Sequence, residues 1–227
     1  MKLYLFIYLF ISVLQTQSIE FLSQQLLIPY GWVSINDSVN KGDDPLISTK
    51  DIYGFPYQAL MIKDIIPVKS KKIISIIKDV QNYDDIFVSS KLVSTSVINN
   101  KENLIDAYQH LPVPIPFISD RHYIFRMTSF DNDLNSIRWI LLDEKNEHIS
   151  YLSNKKKLLP NAIYLNTGIG IWKLRKINSN TTEVSYRLYM DSGGKLPKFL
   201  VDWLNKTAAK NVFNDIRNAS LNQGLIN

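Results

Sequence analysis

Between Glu183 and Ile216 a strand, an abrupt turn and a long helix follow one another directly, and few folds accommodate that succession. Within Glu183 to Met190, Val184, Tyr186, Leu188 and Met190 share one face while Glu183, Ser185, Arg187 and Tyr189 share the other, the period-two pattern of a half-buried strand. The pattern breaks at Asp191-Ser192-Gly193-Gly194, where glycine permits a sharp change of direction, and Pro197 suits the first turn of a helix. A helix is therefore predicted to start near Leu196. Leu196, Leu200, Trp203, Leu204, Ala208, Val212, Ile216 and Ala219 recur at spacings of three and four, which gives it one dry stripe. About 24 residues at roughly 1.5 Å each reach on the order of 35 Å, enough to cross a whole sheet. A strand with one apolar face feeding such a helix predicts a curved sheet whose hollow the helix closes.

Upstream, the pattern adds strands and one further helix. Residues 19–47 read as a short helix followed by a loop, 47–52 and 57–66 as strands, and 69–82 as a helix with Ile73, Ile74, Ile76, Ile77 and Val80 on one side. Strands follow at 91–98, 103–111, 122–130 and 137–143, separated by turn-forming residues. Residues 144–167 carry no sustained period and are expected to be a loop or a partly formed strand. Helices segregated against a mostly antiparallel sheet define an α+β fold.

The chain has 227 residues, enough for one well-filled domain, and no internal repeat or linker divides it. Residues 1–18 read as a secretory signal peptide, with Lys2 as the basic start, Leu3 to Leu14 as the apolar run, and Thr16-Gln17-Ser18 as the small-residue site. The expectation is a 1–18 leader, a 19–227 domain, and a monomer exported to a periplasm or secreted. Cysteine is absent, which removes thiolate nucleophiles and thiolate metal sites. A net charge of +5 is modest; as the sole argument for nucleic-acid binding it is weak, and none is expected.

Specific segments resemble the START (StAR-related lipid transfer) domain. Gly170-Ile171-Trp172-Lys173-Leu174, the Tyr186 strand, Gly193-Gly194-Lys195-Leu196-Pro197 and Phe199-Leu200-Val201-Asp202 are similar to its end. Ala107-Tyr108-Gln109-His110-Leu111-Pro112-Val113-Pro114-Ile115-Pro116, then Ser119-Asp120-Arg121-His122-Tyr123, look like its strand, proline loop and strand. The likeness covers residues 104–219, and His122 stands where family members usually place an acid. It implies a helix-grip fold: a curved antiparallel sheet wrapped around a long C-terminal helix, holding one hydrophobic ligand, a lipid, sterol or fatty-acid-like molecule, for binding or transfer. Such a cup puts Tyr108, Tyr123, Phe125, Trp139, Tyr186, Leu188, Leu200, Trp203, Leu204 and Val212 against the ligand. The resemblance also sets Arg121 beside the tunnel mouth, either orienting a head group or pairing with a loop carboxylate. Lys155 to Lys157, followed by Leu158 and Leu159, form either a transient contact with an anionic membrane or a solvated loop.

Catalytic chemistry finds little support in the residues. His110, His122 and His148 are scattered without metal-ligand spacing, and no zinc site is expected. Asp131, Asp133 and Asn135 imitate the start of a calcium loop, but Ser136 and Leu142 stand where glycine and a bidentate glutamate are needed. Gly168-Ile169-Gly170 and Gly193-Gly194-Lys195 lack the context of nucleotide-binding loops. No cofactor and no enzymatic activity are expected. The alternative is a catalytic cup acting on a polyketide-like or other aromatic small molecule, with Asp106, His110 or Glu183 as the acid or base.

Overall fold

The computed structural model describes residues 18–35, 44–90, 93–101, 103–130 and 133–222. The expected signal segment lies outside them except for Ser18, as do Asp131 and Asn132 of the calcium-like run. A helix over residues 18–27 (α1) leads into β1 (Val33–Ser34), β2 (Leu46–Asp51) and β3 (Gln58–Ile66). Then come α2 (Ser70–Lys78), a single 3-10 turn at Val80–Asn82, and α3 (Tyr83–Ile86). A meander of β4 (Ser94–Lys101), β5 (Leu104–Leu111), β6 (Arg121–Phe130) and β7 (Asp133–Leu141) follows. The chain finishes with α4 (Ile149–Leu158), β8 (Ile163–Tyr164), β9 (Gly168–Asn178), β10 (Thr181–Met190) and α5 (Lys198–Asn222).

All strands join one sheet in the order β1-β2-β3-β10-β9-β7-β6-β5-β4, with β8 pairing parallel to β6. Register decides which side chains meet, because directly paired residues project from the same face. The pairs Gln109↔Tyr123, Ala107↔Phe125, Met127↔Trp139, Ile137↔Trp172, Trp172↔Tyr186 and Gly170↔Leu188 therefore run as one band along the inner face. This band, together with α2, α3 and α5, forms the main core. Two smaller cores lie on the outer face. One packs Ile19, Leu22 and Leu26 of α1 on Ile169, Ile171 and Tyr189, and the other packs Leu152 of α4 on Tyr108, Ile124 and Tyr164.

The α1 helix is held at its C-terminal end by cations. Lys50 Nζ donates to Gln25 O at 2.9 Å, and Arg187 Nη1 donates to Leu26 O and Leu27 O at 2.9 and 3.2 Å. Those carbonyls have no partner within a helix and carry its negative end, so positive donors satisfy both needs.

Two expectations change. The segment 144–167 contains a real helix, α4, although its only buried residue is Leu152. Besides the packing of Leu152, Lys155 Nζ lies over the rings of Tyr108 on β5 and Tyr151 of the helix itself at 4.9 and 5.3 Å, and Lys156 Nζ bonds Glu144 in the preceding loop at 2.6 Å. A wheel reading that counts lysine as solvent-facing overlooks such packing. The helix expected over 69–82 ends at Asp79, whose non-helical backbone (φ −81°, ψ 54°) turns the chain, after which α3 brings Tyr83 and Ile86 into the core.

Candidate ligand-binding cavity

The α5 helix spans 25 residues, about 37 Å at helical rise, and lies across the inner face of the sheet. Its buried positions are Val201, Asn205, Ala209, Phe213, Asp215, Ile216 and Ser220. The stripe thus lies about one residue, roughly 100°, around from the expected one. Trp203 is 54% exposed and Leu200 and Leu204 are half-buried, whereas Val212 and Ile216 do face inward. Polar anchors cause the rotation. Asn205 Nδ2 donates to Met190 O at 2.9 Å and its Oδ1 accepts from Ser192 Oγ at 2.9 Å. Asp215 accepts from Ser89 N at 3.1 Å and Ser89 Oγ at 2.7 Å, and burial pushes its carboxyl pKa up. Arg217 forms an ion pair with Asp64 of β3 at 2.8 Å. Buried polar groups must find partners, and these partners set the helix's rotation more firmly than its apolar pattern does.

Between α5 and the sheet lies a cavity of about 130 Å³. Tyr123, Phe125, Trp139, Tyr186, Leu188 and Val212, all expected from the sequence, line it. Leu200, Trp203 and Leu204 do not line it; they stand off to one side because of the rotation of α5. Tyr108 is buried on the opposite face, paired with Ile124 beneath α4, because its strand parity points it outward. Sequence reasoning did not single out Tyr83, Phe87, Gln109, Leu111, Met127, Trp172, Met190 or Asn205 as contacts. Strand alternation across from Tyr123 and Phe125 was the available signal for Gln109 and Met127; no local signal pointed to Tyr83 and Phe87.

The walls are aromatic. Trp172 stacks on Tyr186 at 4.0 Å with planes 11° apart and on Phe213 at 5.9 Å with planes 12° apart, joining β9, β10 and α5 in one pile. Trp139 Nε1 donates to Tyr186 Oη at 3.1 Å. Gly170 makes this arrangement possible, since a Cβ there would overlap the Trp139 indole. Tyr123 Oη donates to Gln109 Oε1 at 2.6 Å, and Gln109 Nε2 donates to Thr95 Oγ1 at 3.1 Å. Burial pushes the phenols of Tyr83, Tyr123 and Tyr186 far above their ordinary pKa, so all three stay neutral.

Arg121 neither enters the cavity nor reaches solvent: it is 4% exposed. It lies on the inner parity of β6, opposite Leu111. Its Nε donates to Ser192 O at 3.1 Å, Nη1 to Ser119 O, and Nη2 to Gly193 O at 3.5 Å. Burial lowers its pKa, partly opposed by Asp120. The guanidinium therefore ties the proline loop to the corner between β10 and α5. It is neither a head-group ligand nor a surface ion pair in this arrangement.

The polar residues of the catalytic alternative lie elsewhere. Asp106 is buried on the outer face, with Arg126 bonding both its oxygens at 2.7 and 2.8 Å and His148 Nε2 at 2.8 Å. Burial raises its pKa, but these hydrogen bonds outweigh that and hold it below the ordinary value. Asp106, Glu147 and His148 bring possible metal-ligand atoms within 4.8 Å of one another, yet Arg126 already bonds both carboxylates. His110 pairs with Asp120 at 3.0 Å, and Glu183 is held at about 2 by Arg175 and Lys63. None of Asp106, His110 and Glu183 lines the cavity.

No protein-family profile and no curated relative matches the chain. Solved structures do. A STAR-related lipid transfer protein from Xanthomonas axonopodis matches with a TM-score of 0.65 at 12% identity, over 83% of this chain and 98% of that one. Human StAR-related lipid transfer protein 5 matches with a TM-score of 0.63 at 13% identity, over 92% and 95%. The Zhui aromatase/cyclase from Streptomyces sp. R1128 matches with a TM-score of 0.53 at 10% identity, over 74% and 96%. The protein is thus an α+β chain of the helix-grip class. Within that class its fold is the one START domains adopt, a fold also shared by an aromatase/cyclase.

Proposed function

We propose that the protein binds one hydrophobic small molecule, lipid or lipid-like, in the cavity between α5 and the sheet and carries or presents it without altering it. The observation that supports this most is the cavity itself: an aromatic and aliphatic space beneath a helix, with no Lys, Arg, His, Asp or Glu among its described lining residues. A site of that kind offers burial of apolar surface, about 25 cal/mol per Å², rather than acid–base chemistry.

Size bears on the ligand. Binding pockets for small molecules usually measure about 300–1,000 Å³, and an engineered cavity of about 150 Å³ takes up benzene. At about 130 Å³ the cavity fits a single ring, and in this proposal a sterol or acyl chain is admitted when α5 or the proline loop at 112–119 moves outward. The gate in this proposal is the Arg121 tie. In the proline loop that this tie holds, Phe117 is 107% exposed in a left-handed conformation (φ 68°), and Phe199 and Trp203 stand exposed on the first turns of α5. These side chains supply the apolar part of a transient membrane contact, with Lys195 and Lys198 beside them in sequence. Export through residues 1–18 and a monomeric state belong to the same proposal.

The test is to purify the full chain, extract it with organic solvent, and challenge the stripped protein with a sterol, a phospholipid, a fatty acid and single-ring hydrophobes. Stoichiometric uptake of an apolar compound, released unchanged, supports the reading. Failure to bind any of them, or recovery of a chemically converted product, overturns it.

A further inference from the structure

Most of the polar side chains that line the cavity are engaged with neighbouring protein groups. Tyr83 Oη donates to Ile77 O, Tyr123 Oη to Gln109 Oε1, and Gln109 Nε2 to Thr95 Oγ1. Asn205 is taken by Met190 O and Ser192 Oγ. Tyr186 differs from all of these. Its oxygen accepts from Trp139 Nε1 at 3.1 Å, but among the described residues its own proton is donated to no acceptor. The Trp172 Nε1–H, in the adjoining ring of the stack, likewise has no acceptor among the described residues. Among the described residues the Tyr186 hydroxyl proton and the Trp172 indole N–H are therefore donors left without an acceptor. A buried hydroxyl with an unused proton forgoes a hydrogen bond that a ligand oxygen can restore. An ionised head group gains nothing here, because no cationic side chain among the described residues lines the space and burying an unpaired charge is prohibitive.

Resting on the proposed binding role, we infer that the cavity selects a neutral ring-sized group carrying an acceptor oxygen, a cyclic or aromatic ketone, with the Tyr186 hydroxyl as the donor that reads the carbonyl. Carboxylate and phosphate head groups are excluded from this chamber. Size points the same way: about 130 Å³ holds one ring with its carbonyl, and the Trp139–Tyr186 bond fixes the hydroxyl's position before any ligand arrives.

Three probes of nearly equal size separate the contributions: acetophenone (ring and carbonyl), ethylbenzene (ring alone) and benzoate (ring and charge). Equilibrium dialysis against the full chain measures each affinity. In Tyr186→Phe the acetophenone-to-ethylbenzene affinity ratio is expected to fall about tenfold, the effect of leaving one carbonyl unpaired. Benzoate is expected to bind the native protein at least about tenfold more weakly than acetophenone. Infrared difference spectra of acetophenone bound to the native protein need no variant. Its carbonyl stretch should fall toward the value in alcohol, away from that in hexane. An unshifted stretch, an unchanged ratio in a folded Tyr186→Phe, or benzoate binding as well as acetophenone would each overturn the inference. If ethylbenzene binds while these results go against it, only the carbonyl reading fails. If ethylbenzene and acetophenone both fail to bind, the cavity's binding role fails with it.

Discussion

Replacing Ala209 by leucine separates a hollow interior from a filled one by the sign of its effect. Ala209 is fully buried on α5 and its methyl lines the cavity. Leucine adds three carbons at a helical position where its intrinsic preference is nearly that of alanine. If those carbons enter empty space, their burial contributes about 0.8 kcal/mol each, roughly 2.4 kcal/mol in all. Ordering the longer side chain costs about 0.5–1 kcal/mol. The net expectation is about 1.5 kcal/mol of added stability, which for a chain of this size raises Tm by about 3–6 °C. Were α5 packed flush on the sheet, the same carbons would overpack the core and cost about 1–3 kcal/mol. Thermal melts with urea titrations at an unchanged m-value provide the assay. A lower Tm in Ala209→Leu would refute the claim that space lies under the helix. The stabilised variant should also bind ligand more weakly, because it fills the space the ligand needs.

Asn205→Ala should cost about 2 kcal/mol, one net hydrogen bond each to Met190 O and Ser192 Oγ, read by urea unfolding; a loss below about 0.5 kcal/mol would remove Asn205 as an anchor of α5. Gly170→Ala should destabilise by about 1–3 kcal/mol and alter tryptophan fluorescence, because the added Cβ displaces the Trp139 indole; a native-like spectrum would contradict the close approach. His122, fully buried, has its pKa pushed down from 6.5 to about 4, first by burial and then by Lys156 and His110. The unfolded chain therefore binds a proton that the folded chain refuses between those values, and stability falls as pH drops below about 6.5. Between pH 7 and pH 5 the loss from this residue is about 2 kcal/mol, and His122→Gln should flatten that limb of the profile; equal pH dependence in both proteins would refute it. Arg121→Met should remove about 3 kcal/mol and speed ligand release, since Ser119, Ser192 and Gly193 lose their shared donor; unchanged release at matched stability would remove Arg121 from the gate.

The architecture was legible where local chemistry leaves few choices. Alternation over 183–190, then glycine, glycine and proline, led to a strand that does turn into a long helix, and the meander from β4 to β7 followed from period two. The helix's rotation was not legible. The expected apolar stripe leaves out Asn205 and Ser220, yet both are buried, Asn205 with bonds to Met190 O and Ser192 Oγ and Ser220 with a bond to Ile216 O at 2.7 Å. The partners of Asn205, on β10 and the corner after it, are known only after folding. Tyr108 failed as a contact for a related reason: alternation divides a strand into two faces without saying which is inside, and here the outer face carries a second apolar core under α4. Conversely, Tyr123, Phe125, Trp139 and Tyr186 line the cavity, where both their parity and their size favour the inside of a cup. Tyr83 and Phe87 reach the cavity only because the chain turns at Asp79, a non-local consequence of how α2 packs.

Xenon enters dry apolar cavities and ignores filled ones, so diffraction from crystals of the full chain under xenon pressure tests the hollow interior most directly. The expected result is a bound atom between α5 and the sheet, against Phe125, Trp172 and Val212, that disappears in Ala209→Leu. Crystals that take up no xenon beneath α5, or that take it up equally in the leucine variant, would contradict the account.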